Sequence, residues 1–123
     1  MENFKATVKM ASKELTNREK LFVKDTTNAV KLDEVLKADE KLVITPSYFA
    51  ILSIHNDRSD TKDYEQYVIV DGEGNKFYTG SPSFWQAFTD INDEMGSEEY
   101  SVEVYKRESK NYKGKYFLTC SII

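Results

Sequence analysis

The chain has 123 residues, 40% of them hydrophobic and 13% aromatic, with a formal net charge of −4. This is enough apolar material for one compact core, and no apolar run approaches the roughly 20 residues of a membrane-spanning helix. MENFKATVKM lacks the apolar stretch of a signal peptide, so the expectation is one soluble, cytoplasmic domain without membrane association, and the single cysteine, Cys120, excludes an internal disulfide.

Residues 1–40 read as an N-terminal extension, charged and weakly periodic, with short strands predicted at Phe4–Met10 and Lys20–Lys24. Asn28 can cap a short helix in which Val30, Leu32, Val35 and Leu36 form an apolar stripe. From residue 41 onward the pattern strengthens. Leu42–Ile54, rich in β-branched and aromatic residues but interrupted by Pro46, predicts one long bent strand. After the polar loop His55–Glu65, Gln66–Asp71 and Lys76–Thr79 predict a hairpin around Gly72-Glu73-Gly74-Asn75. Ser81 can cap a helix with Pro82 in its first turn; Phe84, Phe88, Ile91 and Met95 give it one apolar face, with Trp85 beside them, and Gly96 ends it. Strands Ser101–Arg107 and Lys115–Ile122 follow, joined by Glu108–Gly114.

The order β-β-β-α-β-β over residues 41–123, with one helix between the third and fourth strands, is that of a five-stranded OB-fold barrel, a mainly β architecture. An α+β sandwich could use the same elements, but a bent first strand suits a closed barrel better. The apolar C-terminal strand, ending in Ile122-Ile123, offers an edge for a second copy, so a homodimer or tetramer is expected.

The inventory for catalysis is thin. His55 is the only histidine and reads as a polar residue at a loop edge; Asp57, Asp60 and Asp63 do not have the spacing of a calcium loop. Gly72-Glu73-Gly74-Asn75 lacks the lysine and helix of a phosphate loop. A non-catalytic protein without metal or cofactor is expected.

Charge is unevenly distributed. Between Asp63 and Tyr100 nine acids face Lys76 alone, whereas after Tyr100 five bases face two acids, a local balance of +3. Tyr105, Lys106, Arg107, Lys110, Tyr112, Lys113 and Lys115 fall within eleven positions. Strand alternation with Val68, Val70, Phe77 and Thr79 inward turns Tyr67, Lys76 and Tyr78 outward. Arg58, Lys62 and Tyr64 lie in or beside the loop before them. Interleaved aromatic rings and cations are what stacking of unpaired bases and tracking of phosphates require. The expectation is a clamp of two basic loops closing on a single strand of DNA, with RNA as the alternative ligand, stacked on Tyr67 and Tyr78. Phe84, Trp85 and Phe88 are assigned to the core.

YVIVDGEGNKFYTGSPSFWQAF together with SKNYKGKYFLTCSII resembles the small single-stranded-DNA-binding proteins of phages and conjugative plasmids of Gram-positive bacteria. The resemblance spans roughly Leu42–Ile123 and is one of layout. It implies an OB fold, a place in DNA replication, recombination or transfer in a bacterial host cell, replication or recombination proteins as partners, and Tyr67, Tyr78, Arg107, Lys110 and Lys113 as binding residues. Unlike the bacterial housekeeping version, the sequence closes on Ser121-Ile122-Ile123 and not on an acidic tail. The rival expectation is a phage- or plasmid-encoded protein-binding module that presents the acidic stretch 63–100 to a host factor.

Overall fold

The computed structural model describes residues 4–37, 39–57 and 62–123. In chain order they form β1 (Phe4–Ala11), α1 (Asn17–Lys24), β2 (Val30–Lys31), α2 (Leu32–Val35), β3 (Lys41–Ile44), β4 (Pro46–Asn56), β5 (Asp63–Asp71), β6 (Lys76–Thr79), α3 (Pro82–Met95), β7 (Val102–Glu108) and β8 (Tyr116–Ile122). Two sheets result among the described residues, one ordered β1-β4-β5-β6-β2 and one ordered β3-β7-β8. Both are open, which overturns the expected five-stranded OB barrel.

The physical reason lies at Pro46. The stretch predicted as one bent strand is two strands in different sheets, β3 ending at Ile44 and β4 beginning at Pro46. Proline offers no amide hydrogen to a ladder and restricts the residue before it, so pairing stops and the chain changes sheet. By this interleaving the chain divides into two compact units, Met1–Val30 with Ser47–Gly80 and Lys31–Pro46 with Ser81–Ile123.

In the first unit β1, foreseen as a strand but placed in an extension, is the antiparallel neighbour of β4, with a bulge between Val8 and Met10. Ala6 and Val8 pack on a core of Leu15, Val23, Ala50, Leu52, Ile54, Val68 and Val70. The segment Lys20–Lys24, expected as a strand, belongs to helix α1. Its signal is a capping box: the Thr16 hydroxyl accepts the Glu19 amide at 3.2 Å while the Glu19 carboxylate accepts the Thr16 amide at 2.9 Å. The β5–β6 turn is built around the Asp71 carboxylate, which accepts the Glu73 and Asn75 amides, and Gly74 takes the positive φ of 87° that this turn needs.

That turn sets a register that corrects the expected faces. Val68 stands opposite Tyr78 and Val70 opposite Lys76, while Tyr67 stands opposite Thr79. Residues directly opposite share a face; Tyr67 and Tyr78 are therefore on opposite sides of the sheet and form no common platform. Tyr78 packs on the core. Lys76, expected on the outer face, is only 6% exposed. Its ammonium donates to the carbonyls of Phe22, at 2.7 Å, and Asp25, and lies 4.1 Å from the centre of the Phe22 ring. A cation here gives a further donor to carbonyls at the C-terminal end and cap of α1.

In the second unit the predicted helix is present as α3. The Ser81 hydroxyl accepts the Phe84 amide, Pro82 occupies the first turn, and Gly96 ends the helix at φ 63°. Phe84, Trp85 and Phe88 are buried, as expected, and α3 packs on β8. Ile44, Val102, Val104, Leu118 and Cys120 are buried on the sheet; burial pushes the Cys120 thiol up to about 12. The helix expected from Asn28 is reduced to the two-residue strand β2 and the single turn α2, where Leu32 and Leu36 are buried but Val35 is exposed. No helix among the described residues is long and apolar enough to cross a membrane.

Replacing Lys76 with methionine keeps the apolar stem but removes the ammonium's hydrogen bonds to the Phe22 and Asp25 carbonyls. Because hydrogen bonds to charged groups contribute about 1.5–3 kcal/mol, K76M is expected to lower stability by about 2 kcal/mol, read as a lower urea midpoint at unchanged slope. An unchanged midpoint would show that the ammonium does not hold α1.

Candidate nucleic-acid interface

Antiparallel register in the second sheet sorts its side chains into two faces. Val102 faces Ile122, Val104 faces Cys120 and Lys106 faces Leu118 on the inner face; Glu103 faces Ser121, Tyr105 faces Thr119 and Arg107 faces Phe117 on the outer one. From β3, Lys41 stands opposite Tyr105 and Val43 opposite Glu103, adding both to the outer face. The outer face therefore brings together Lys41, Tyr105, Arg107 and Phe117.

Along β7, Tyr105 and Arg107 are separated by about 6.6 Å of strand rise. Phe117, directly across from Arg107, lies diagonally about 7–8 Å from Tyr105. The register thus makes Tyr105 the along-strand neighbour and Phe117 the cross-strand neighbour of Arg107 on this face. The Tyr105 hydroxyl shares a 2.7 Å hydrogen bond with the Ser121 hydroxyl, which fixes the ring across the sheet. Phe117 is 38% exposed on this face.

The β7–β8 loop continues this surface. It is closed by the Ser109 amide donating to the Lys115 carbonyl at 2.8 Å, and the Lys115 amide returns to the Tyr112 carbonyl at 3.2 Å. Gly114, at φ 82°, supplies the left-handed position of that turn, and its amide donates to the Glu108 carboxylate. Lys110, Tyr112, Lys113 and Lys115 are exposed on it, Tyr112 to 65%. Among the described residues, Arg107, Lys110, Lys113 and Lys115 enter no ion pair.

The remaining expected binding residues are placed otherwise. Lys106 is half-buried and donates to the Asp33 carbonyl at 2.8 Å, so its charge is committed within the fold. Lys62 is exposed just before β5, and Tyr64 packs on the first unit's core. Tyr67 is half-buried, its phenol pKa raised by burial and then by the charge of Glu65. Arg58 lies outside the described residues. The two loops of the expected clamp belong to different units. Sequence reasoning missed Phe117 and Lys41. The signal for Phe117 was available: once Leu118 and Cys120 point inward, alternation turns Phe117 and Thr119 out.

No protein family, characterised protein or solved structure matches this chain. The resemblance to phage and plasmid single-stranded-DNA-binding proteins rested on an OB layout, and with the open sheets in its place that assignment is withdrawn.

His55 stands apart from this surface, at the end of β4. Its Nδ1 lies 2.8 Å from Asp63 and its Nε2 2.8 Å from Asp57, so the imidazolium, with two N–H donors, satisfies both carboxylates. The hydrogen bond that His55 donates to Asp63, more than the one to Asp57, raises its pKa above 6.5. The folded value exceeds the unfolded one of about 6.5. The tie therefore contributes fully below about pH 6.5 and is lost as pH rises through the folded value. Titrating the ring protons by NMR should give a midpoint above 6.5, lowered more by D63N than by D57N. A midpoint at or below 6.5 in the native chain would refute the tie.

Proposed function

We propose that this protein binds single-stranded nucleic acid, without catalysis, on the outer face of the β3-β7-β8 sheet and the β7–β8 loop. The observation that carries the reading is the register that sets Tyr105, Arg107 and Phe117 side by side on the open face, beside the unpaired loop lysines. Each ring offers a flat apolar surface to an unstacked base, a contact that contributes about 1–3 kcal/mol per base and tolerates any sequence. Arg107, Lys110, Lys113 and Lys115 supply cations for the phosphates between those bases. A duplex, whose bases are already stacked on each other, presents no ring face to Tyr105 or Phe117. With a net charge of −4 the protein repels polyanions at long range, so binding is confined to this patch and is sensitive to salt.

Fluorescence anisotropy of labelled oligo-dT and oligo-rU of about 30 nucleotides, with duplex of equal length, tests the reading. Single strands are expected to bind and the duplex to bind at least about tenfold more weakly. With about three phosphate contacts, affinity should fall about tenfold when salt is tripled. Y105L and F117L should each weaken binding by about 5- to 100-fold, and K110E combined with K113E should weaken it further, while K62E in the other unit should leave it unchanged. Comparison of dT with rU separates DNA from RNA as the preferred ligand. Absence of binding to either single strand at low salt would sink the proposal.

A further inference from the structure

The outer face also carries an acid. Glu103 lies two residues before Tyr105 on β7, on the same side, and its carboxylate is 3.3 Å from the Lys41 ammonium. Lys41, directly opposite Tyr105, holds that ammonium 5.7 Å from the centre of the Tyr105 ring. In the free protein one cation therefore serves two partners: it neutralises Glu103, and it occupies the ring face on which a base would stack. The Tyr105 ring cannot swing away to offer another position without giving up its hydrogen bond to Ser121.

We propose, on the basis of the single-strand reading above, that Lys41 exchanges Glu103 for a phosphate of the ligand when a base takes the Tyr105 ring, and that Glu103 is the residue that holds the affinity of the site down. The pair is well placed for such an exchange. Both side chains retain solvent access, 59% for Lys41 and 33% for Glu103, and ion pairs of this kind are weak and readily broken. The base needs the ring, so the ammonium must leave it. The phosphate attached to that base is then the nearest anion not already held. Glu103 loses its cation and is left facing a polyanion, which makes it a built-in competitor and marks the end of the binding face away from the loop.

Oligo-dT affinity and its salt dependence, measured for the wild type, E103Q, K41Q and the double variant, test this exchange. E103Q should bind about three- to tenfold more tightly at low salt, with the advantage shrinking as salt rises. Its plot of log K against log salt should steepen by up to about 0.7, because Lys41 then counts as a full phosphate partner. K41Q should bind more weakly, and in its background E103Q should gain less, since the cation to be released is absent. Melting temperatures should stay unchanged across the set, which a merely structural role for the pair would not give. A wild type that binds while E103Q binds equally or more weakly, with the same salt slope, overturns the exchange and leaves the single-strand reading standing. A wild type that binds no single strand overturns both.

Discussion

Pro46 has no amide hydrogen to give a neighbouring strand and restricts the backbone of Thr45 before it, and much of the architecture depends on that. Had the stretch from Leu42 to Ile54 run on as one strand, Lys41–Ile44 would have stayed with β4. Instead it pairs with β7 and gives the β7–β8 hairpin a third strand. A two-stranded hairpin is marginal in water, whereas three strands backed by α3 bury Val102, Val104, Leu118 and Cys120 on one side and leave the other side open. The same pairing delivers Lys41 to Tyr105. One missing hydrogen thus lies upstream of both the rigidity of the candidate surface and its finest electrostatic detail. The hydroxyls of Thr45 and Ser101, 2.6 Å apart, tie this end of β3 to the approach of β7.

Much of the second unit was legible in the sequence because its signals are local. Ser81, Pro82, the apolar spacing through Met95 and Gly96 define α3 at both ends, and β7 and β8 alternate plainly. Turn chemistry also placed Lys110, Tyr112 and Lys113 in a loop, but Tyr105, Lys106 and Arg107 were grouped together without the alternation that turns Lys106 to the inner face. The face of Tyr67 and Tyr78 was not legible, since it depends on register across the turn 72–75, and a shift of one residue moves every side chain of a strand to the other side. Tyr67, Lys76 and Tyr78 were assigned to one surface by treating both strands as starting in phase. Asp71, which gathers the amides of Glu73 and Asn75, fixes a different phase. The barrel failed for a similar reason: the number and order of strands are local properties, but which strand neighbours which is decided by long-range pairing.

The two short helices expose the other limit. Neither the run Leu21-Phe22-Val23 nor the stripe Val30, Leu32, Val35 and Leu36 separates helix from strand by periodicity alone. In α1 the decision rests with the capping box of Thr16 and Glu19, four residues before the segment that looked like a strand. In α2 the helix ends after one turn, with Leu36 already extended at the cap; Leu32 and Leu36 are buried while Val35 is exposed.

Short helices also determine which lysines remain at the surface. A helix leaves its last four carbonyls without partners, and in an eight-residue helix or a single turn those are half or all of the carbonyls present. Here two of the bases counted toward a phosphate-binding surface are drawn in to meet them, Lys76 to Phe22 and Asp25 in α1 and Lys106 to Asp33 in α2. Composition cannot separate a lysine that satisfies a carbonyl from one that awaits an anion, because both are charged residues on amphipathic strands. Geometry separates them through the partner each ammonium already has. On that criterion Lys76 and Lys106 are withdrawn from a ligand, while Arg107, Lys110, Lys113 and Lys115 of one hairpin remain available to it beside Tyr105 and Phe117.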